Sequence, residues 1–180
     1  QVDIGNSNTA RIDINSSDID FGTGDVTFTA STSGTVFTTA TPTIDMVQTV
    51  TGGNGAADGS NLTITGAVTI NNGTLDINSG GGNISITGNI GSAGVDEAII
   101  LDDGTTVGAG GTASTGTITL GGTVTSGDIT LIGDSGISIA GDITSNKTAS
   151  AGAISFTGPV TLAGNVVITS NVWNSDTSAY

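Results

Sequence analysis

One nine-residue phrase recurs five times between residues 62 and 162: an apolar–polar–apolar triplet, a spacer, a glycine, then a second short apolar–polar stretch. The copies read LTITGAVTI (Leu62–Ile70), ISITGNIGS (Ile84–Ser92), ITLGGTVTS (Ile118–Ser126), ISIAGDITS (Ile137–Ser145) and ISFTGPVTL (Ile154–Leu162). Their first residues lie 22, 34, 19 and 17 positions apart. A period near 20 with strand-type alternation inside it marks a solenoid, whose units bury an apolar face only by stacking on their neighbours.

Within each copy the aliphatics stand two apart, as in Ile84/Ile86 and Ile137/Ile139. A strand sends alternate side chains to opposite faces, so these point inward and the intervening Ser or Thr outward. Gly66, Gly88, Gly122, Gly141 and Gly158 hold the same place in all five copies. Glycine takes positive φ without steric cost, so each is expected at a bend between two short strands. A third strand fits between copies at Leu75-Asp76-Ile77, Ile129-Thr130-Leu131 and Val166-Val167-Ile168. Two or three short strands with bends make a coil of about 20 residues, and stacked coils pair in parallel about 4.8 Å apart. The expectation is an all-β chain, a parallel β-helix of about 7–9 coils. An antiparallel sandwich is the rival, but it needs longer strands and hairpin dipeptides, and Asn72-Gly73 is the only Asn-Gly pair between two plausible strands.

The chain reads as one solenoid over residues 1–180. Residues 1–60 form irregular coils, keeping the alternation at Val2/Ile4, Ile12/Ile14, Ile19/Phe21 and Val26/Phe28. Clear repeats fill residues 61–170, Gly52–Ser60 is a surface loop, and the 34-residue spacing implies an insertion near 94–111. Residues 171–180 hold the only Trp and Tyr, Trp173 and Tyr180, as a terminal cap or contact segment. Gln1, with no Met, basic stretch or apolar signal region, is expected to follow a processed or excised start.

Composition removes several function classes. Thirty glycines among many Ser and Thr invite a disordered reading, but β-branched alternation opposes it. Glycine follows no three-residue period and there are two prolines, so collagen fails. A net charge of −14, with only Arg11 and Lys147 positive, repels phosphate backbones and anionic membranes. No apolar run approaches the roughly 20 residues of a membrane helix. With no Cys there is neither disulfide nor thiolate metal site, and with no His the usual triads and histidine bases are absent.

The remaining chemistry is carboxylate and hydroxyl. Asp96, Glu97, Asp102 and Asp103 put four hard oxygen donors within eight residues of a glycine-flanked insertion, the set calcium would take. Gly52-Gly53-Asn54-Gly55 approaches a calcium-binding nonapeptide, but Asp58 falls one residue late. The same carboxylates would supply the pair an inverting glycoside hydrolase needs, although the aromatic and cationic groups of sugar grooves are nearly missing. Thr-x-Thr pairs at Thr27/Thr29, Thr63/Thr65, Thr117/Thr119 and Thr123/Thr125 resemble an ice-binding face but do not recur coil by coil. Sequons stand at Asn15, Asn61, Asn72, Asn83 and Asn146.

The phrase I/L-S/T-I/L/F-x-G-x-V/I-T, set in Gly-, Thr- and Asn-rich sequence, resembles the repeats of filamentous-haemagglutinin-like adhesins and related giant bacterial surface proteins. AISFTGPVTLAGNVVITS (Ala153–Ser170) carries the likeness best, and it covers roughly residues 60–170. The resemblance implies a right-handed β-helix, an extracellular or cell-surface location and export of a longer precursor. It implies no catalytic residues, and the family's secretion-domain motifs are not visible. The expected function is a non-enzymatic rigid spacer, adhesive stalk or filament subunit with no cofactor beyond calcium. Its alternatives are an adhesin segment gripping a glycan or host receptor and a polysaccharide-active enzyme. The expected partners are copies of itself, joined end to end through Trp173 and Tyr180, or further coils of a longer parent. Neither nucleic acid nor membrane insertion is expected.

Overall fold

The computed structural model describes residues 2–15, 18–20, 25–30, 34–37, 43–45, 61–71, 73–92, 96–103, 115–148 and 150–172. Among them there are strands and no helices. The first coil is β1 (Val2–Gly5), β2 (Arg11–Ile14) and β3 (Asp18–Asp20); the second is β4 (Val26–Thr29), β5 (Gly34–Phe37) and β6 (Thr43–Asp45). The third is β7 (Leu62–Thr65), β8 (Val68–Ile70) and β9 (Thr74–Asn78), and the fourth β10 (Ile84–Ile86), β11 (Ile90–Ser92) and β12 (Ala98–Asp102). The fifth is β13 (Ile118–Leu120), β14 (Val124–Ser126) and β15 (Asp128–Ile132); the sixth is β16 (Ile137–Ile139), β17 (Ile143–Lys147) and β18 (Ile154–Thr157). A seventh begins with β19 (Val160–Leu162) and β20 (Ile168–Val172).

The chain lays these strands down in rotation, so each coil contributes one strand to each of three sheets. The first sheet runs β1-β4-β7-β10-β13-β16-β19, the second β2-β5-β8-β11-β14-β17-β20, and the third from β3 through β6, β9, β12 and β15 to β18. Every pairing is parallel, which makes the fold a parallel β-helix and excludes the sandwich. Side chains alternate as the pattern requires. In the fifth coil Ile118, Leu120, Val124, Ile129 and Leu131 are buried in a core that all three sheets share. Each such side chain contributes about 1.5–3 kcal/mol before chain entropy is subtracted. Thr35 breaks the rule: it lies between Ile12 and Val68 in the second sheet, fully buried, with no partner for Oγ1 among the described residues.

Three expectations are corrected here. The fifth copy of the phrase is out of phase with the other four. Its ISFT segment is β18 in the third sheet, with Ile154 beside Ile129, and its VTL segment is β19 in the first. Six residues, 148–153, separate β17 from β18 and carry the chain past the bend the repeat predicts. Of Val166-Val167-Ile168, only Ile168 is in a strand, and that strand belongs to the second sheet. The segment read as an insertion near 94–111 contains β12, which pairs over its full length with β9 and β15. Phe21, Gly52–Ser60, Asn72 and residues 94–95 and 104–111 lie outside the described residues.

Three of the four glycines of the first bend are required for a reason other than the expected positive φ. Of Gly66, Gly88, Gly122 and Gly141 only Gly66 has positive φ, at 105°. A Cβ on Gly88 would strike the backbone of Gly66, one on Gly122 the backbone of Gly88, and one on Gly141 the backbone of Gly122. The glycines stack on one another, and the missing side chain is what lets successive coils close to strand-pairing distance. Gly158 has φ 108° and abuts Gly133 instead, in keeping with its different corner.

Gly91, by contrast, faces outward in the second sheet with nothing within 4 Å of an added Cβ. Gly122→Ala is therefore expected to cost about 1–3 kcal/mol, the usual toll of forcing atoms into packed space. Gly91→Ala should change stability by no more than about 0.5 kcal/mol. Thermal melts of the two variants check this, and equal melting temperatures would contradict the stacked-glycine account.

Candidate functional site

Polar side chains concentrate where one strand hands over to the next. A parallel strand leaves amides unsatisfied at its entry, and here the residue just before the strand supplies the acceptor. At the entry to the first sheet, the Asn61 amide donates to Asp25 Oδ1, the Asn83 amide to Asn61 Oδ1, and the Thr117 amide and hydroxyl to Asn83 Oδ1, each at 2.9 Å. At the entry to the second sheet, the Thr123 amide donates to Asn89 Oδ1 at 3.0 Å and the Val167 amide to Asp142 Oδ1 at 2.8 Å. In each case an Asn or Asp in one coil accepts the backbone of the next.

The corner between the second and third sheets is the most elaborate. Gly127 is the whole bend between β14 and β15, and its amide donates to the Glu97 carbonyl. Ser126 Oγ donates to the same carbonyl at 2.9 Å, Ser145 Oγ donates to the Gly127 carbonyl, and Ser170 Oγ to the Gly152 carbonyl at 2.6 Å. These serines stand in register in β14, β17 and β20. Ser126 and Ser145 are buried, so the inner face there is a hydroxyl row rather than an aliphatic one.

Carboxylates complete this corner. Asp128 pairs with Lys147 at 2.7 Å and accepts the Ala153 amide at 2.8 Å. Asp96 accepts the amide of Thr148 at 3.0 Å and also its hydroxyl, across two coils. The Asp128 carboxyl is held below the usual carboxylate range, first by Lys147 and then by the Ala153 amide. Asp96 is lowered by the Thr148 hydroxyl and then its amide, and Lys147 is raised by Asp128. Glu97 Oε2 and Asn146 Oδ1 are buried oxygens with no hydrogen-bond partner among the described residues.

The four carboxylates proposed for calcium are not brought together. Asp96 and Glu97 precede β12, whereas Asp102 closes it and Asp103 follows, roughly 17 Å of extended strand away. Asp103 is buried and accepts the Asp134 amide at 2.8 Å. Among the described residues no three His, Cys, Asp or Glu side chains form a metal-holding group. An apparent loop cluster is thus two corners joined by a strand. Trp173 and Tyr180 lie outside the described residues.

The sequence reading missed the entry residues, yet their signal is plain. Asn or Asp stands directly before the first inward aliphatic at Asp25-Val26, Asn61-Leu62, Asn83-Ile84, Asn89-Ile90, Asp128-Ile129 and Asp142-Ile143. The same rule accounts for two sequons. A cap, an inward aliphatic and an outward hydroxyl in succession spell Asn61-Leu62-Thr63 and Asn83-Ile84-Ser85.

Comparison with protein-family models, curated proteins and solved structures finds no match to this chain. The likeness to filamentous-haemagglutinin-like repeats therefore rests on the repeat residues themselves.

The lowered carboxyls fix a pH dependence. A group whose folded pKa is depressed stabilises the fold above its unfolded value and loses that contribution as pH falls through the folded one. For Asp96 and Asp128 this window opens near pH 4 and extends downward. The double change Asp96→Asn, Asp128→Asn keeps an acceptor at each site but no charge. The wild-type protein should melt higher than this variant at pH 6, and the gap should shrink towards pH 2. Melts in which the gap is constant over that range would rule out the assignment.

Proposed function

We propose that this chain is a non-enzymatic structural β-solenoid: a rigid spacer, stalk or filament segment working outside the cell or at its surface. The observation that carries the reading is the use made of its polar groups. Asn61, Asn83, Asn89, Asp128 and Asp142 accept backbone amides of the following coil, and Ser126 and Ser145 donate to backbone carbonyls of the preceding one. Chemistry that elsewhere would face a substrate here joins coil to coil. The yield of such an arrangement is length, about 4.8 Å per coil and roughly 30 Å for seven.

The residue pattern also supports the extracellular placement. The repeat phrase resembles surface-protein repeats, and a chain with 16 acidic against two basic residues carries a net negative charge that opposes non-specific association.

A second reading, a glycan-gripping adhesin segment, has one observation in its favour. Thr27, Thr63, Ser85, Thr119, Ser138 and Thr161 form a single outward column of hydroxyls along the first sheet, one per coil. A neutral polymer lying along the axis would meet that column. Binding to a glycan array that Thr119→Ala and Ser138→Ala abolish would favour this reading over the spacer.

A spacer is modular, and each repeat interacts only with its neighbours. Ile118 pairs with Ile137, so the 19 residues 118–136 are one complete coil. Deleting them should leave a folded β-rich protein shorter by about 4.8 Å, and duplicating them one longer by about the same. Small-angle scattering and circular dichroism read both. Collapse of the deletion variant to an unfolded chain, or release of reducing sugar from polysaccharide by the intact protein, would overturn the reading.

A further inference from the structure

The first sheet presents a surface unlike the other two. Its outward column, one residue per coil, reads Thr27, Thr63, Ser85, Thr119, Ser138 and Thr161, in register from the second coil to the seventh. Two residues further along each strand a second column starts at Thr29 and Thr65. Thr87, Gly121, Ala140 and Ala163 continue it, their amides donating to the carbonyls of Ile64, Ile86, Leu120 and Ile139. The Thr87 hydroxyl also accepts the Gly66 amide at 3.4 Å. Every position in the two columns is at least partly exposed, none is charged and none is larger than threonine. The third sheet instead turns out Asp76, Ile100, Asp102 and Ile132, and the outward column of the second is interrupted by Val36 and the bare Gly91.

Threonine pairs that look scattered along the chain are in register in the fold. Thr27/Thr29 and Thr63/Thr65 sit side by side, and Ser85/Thr87 follows in the next coil. Thr119 extends the first column, whereas Thr125 belongs to the second sheet.

We propose that this face binds ice. Two waters bonded to a common third at the tetrahedral angle stand about 4.5 Å apart, given an O–H···O length of about 2.75 Å. The hydroxyls of the column repeat with the coils, about 4.8 Å apart. Over the two steps from Thr27 to Ser85 the mismatch reaches only about 0.6 Å, which small side-chain rotations absorb. Threonine is stiff at χ1, so its methyl and hydroxyl are in place before any water is.

Size, chemistry and charge favour this occupant over others. The strip measures roughly 24 Å by 7 Å, far below the about 800 Å² that a stable protein partner covers. A soluble glycan would exchange its hydration for hydroxyl contacts of similar worth, and neither column holds an aromatic ring to add stacking. Ice loses no hydration there, because the waters that the hydroxyls hold are waters of its own lattice. The face is neutral in a chain of net charge −14, so no ion on it holds water in another arrangement. The activity adds to the spacer reading and does not depend on it.

The test uses the full chain and a single ice crystal. The gap between freezing and melting temperatures should open and widen with protein concentration. Thr63→Lys with Thr119→Lys puts bulk and charge in the middle of the first column and should remove most of that gap. Thr125→Lys with Thr144→Lys, outward and adjacent in the second sheet, should keep it. All four positions face away from the core, so both variants should retain β-sheet circular dichroism. A folded unmodified protein that opens no gap at millimolar concentration, or equal loss in the two variants, would overturn the proposal. Capture of a soluble neutral glycan that the first variant abolishes, with no gap in the unmodified protein, gives the face to the glycan and overturns it as well.

Discussion

The structure depends on one constraint: the backbone of each coil must come within hydrogen-bonding distance of the next at all three faces simultaneously. Parallel strands about 4.8 Å apart allow no side chain to intrude at a bend that is itself stacked. Gly66, Gly88, Gly122 and Gly141 meet that requirement at the first bend, and Gly127 meets it at the second. Once the bends stack, the register of the strands follows. Ile84 lies between Leu62 and Ile118, and Ile90 between Val68 and Val124. The apolar core is then a consequence of alternation repeated without slippage, because a slip of one residue would turn every inward side chain outward.

The corners divide the remaining work. Asn and Asp satisfy amides at strand entries, and serines satisfy carbonyls at the tight bend. The connection leading from the third sheet back to the first is where length varies most. It takes residues 158–159 in the sixth coil and 133–136 in the fifth, but residues 103–117 in the fourth and 46–61 in the second. The strands that flank these longer connections keep their pairing: β4 with β7, and β10 with β13. This explains how spacings of 22, 34 and 19 residues coexist with an unbroken ladder: Leu62, Ile84, Ile118 and Ile137 occupy successive rungs of one sheet.

Much of this was legible in the sequence, because period-two alternation inside a period near 20 has few physical solutions. The inward residues, the parallel stack and the third strand at Leu75–Ile77 and Ile129–Leu131 follow from it directly. What failed was phase. ISFTGPVTL matches its predecessors residue by residue, yet composition does not record that residues 148–153 have already turned the chain through another face. The acidic residues were grouped as one loop for a related reason. Four carboxylates close in sequence read as one loop, but Ala98–Asp102 alternates too, and an extended strand holds its ends far apart. The glycines were placed at bends correctly, and the positive φ expected of them holds at Gly66 and Gly158; at Gly88, Gly122 and Gly141 the reason is steric closeness between coils, which has no trace in a single repeat.

The central claim, that sequence-distant residues lie one coil apart along a straight stack, is open to a direct distance measurement. The chain has no cysteine, so spin labels can be placed without background. Labels at Thr27 paired in turn with Thr119, Ser138 and Thr161 sample three, four and five coil steps along the outward column of the first sheet. Pulsed dipolar spectroscopy should give backbone separations of about 14, 19 and 24 Å, rising by about 4.8 Å per coil. Distances that do not rise in that order, or that follow the number of intervening residues rather than of coils, would contradict the stacked-coil account.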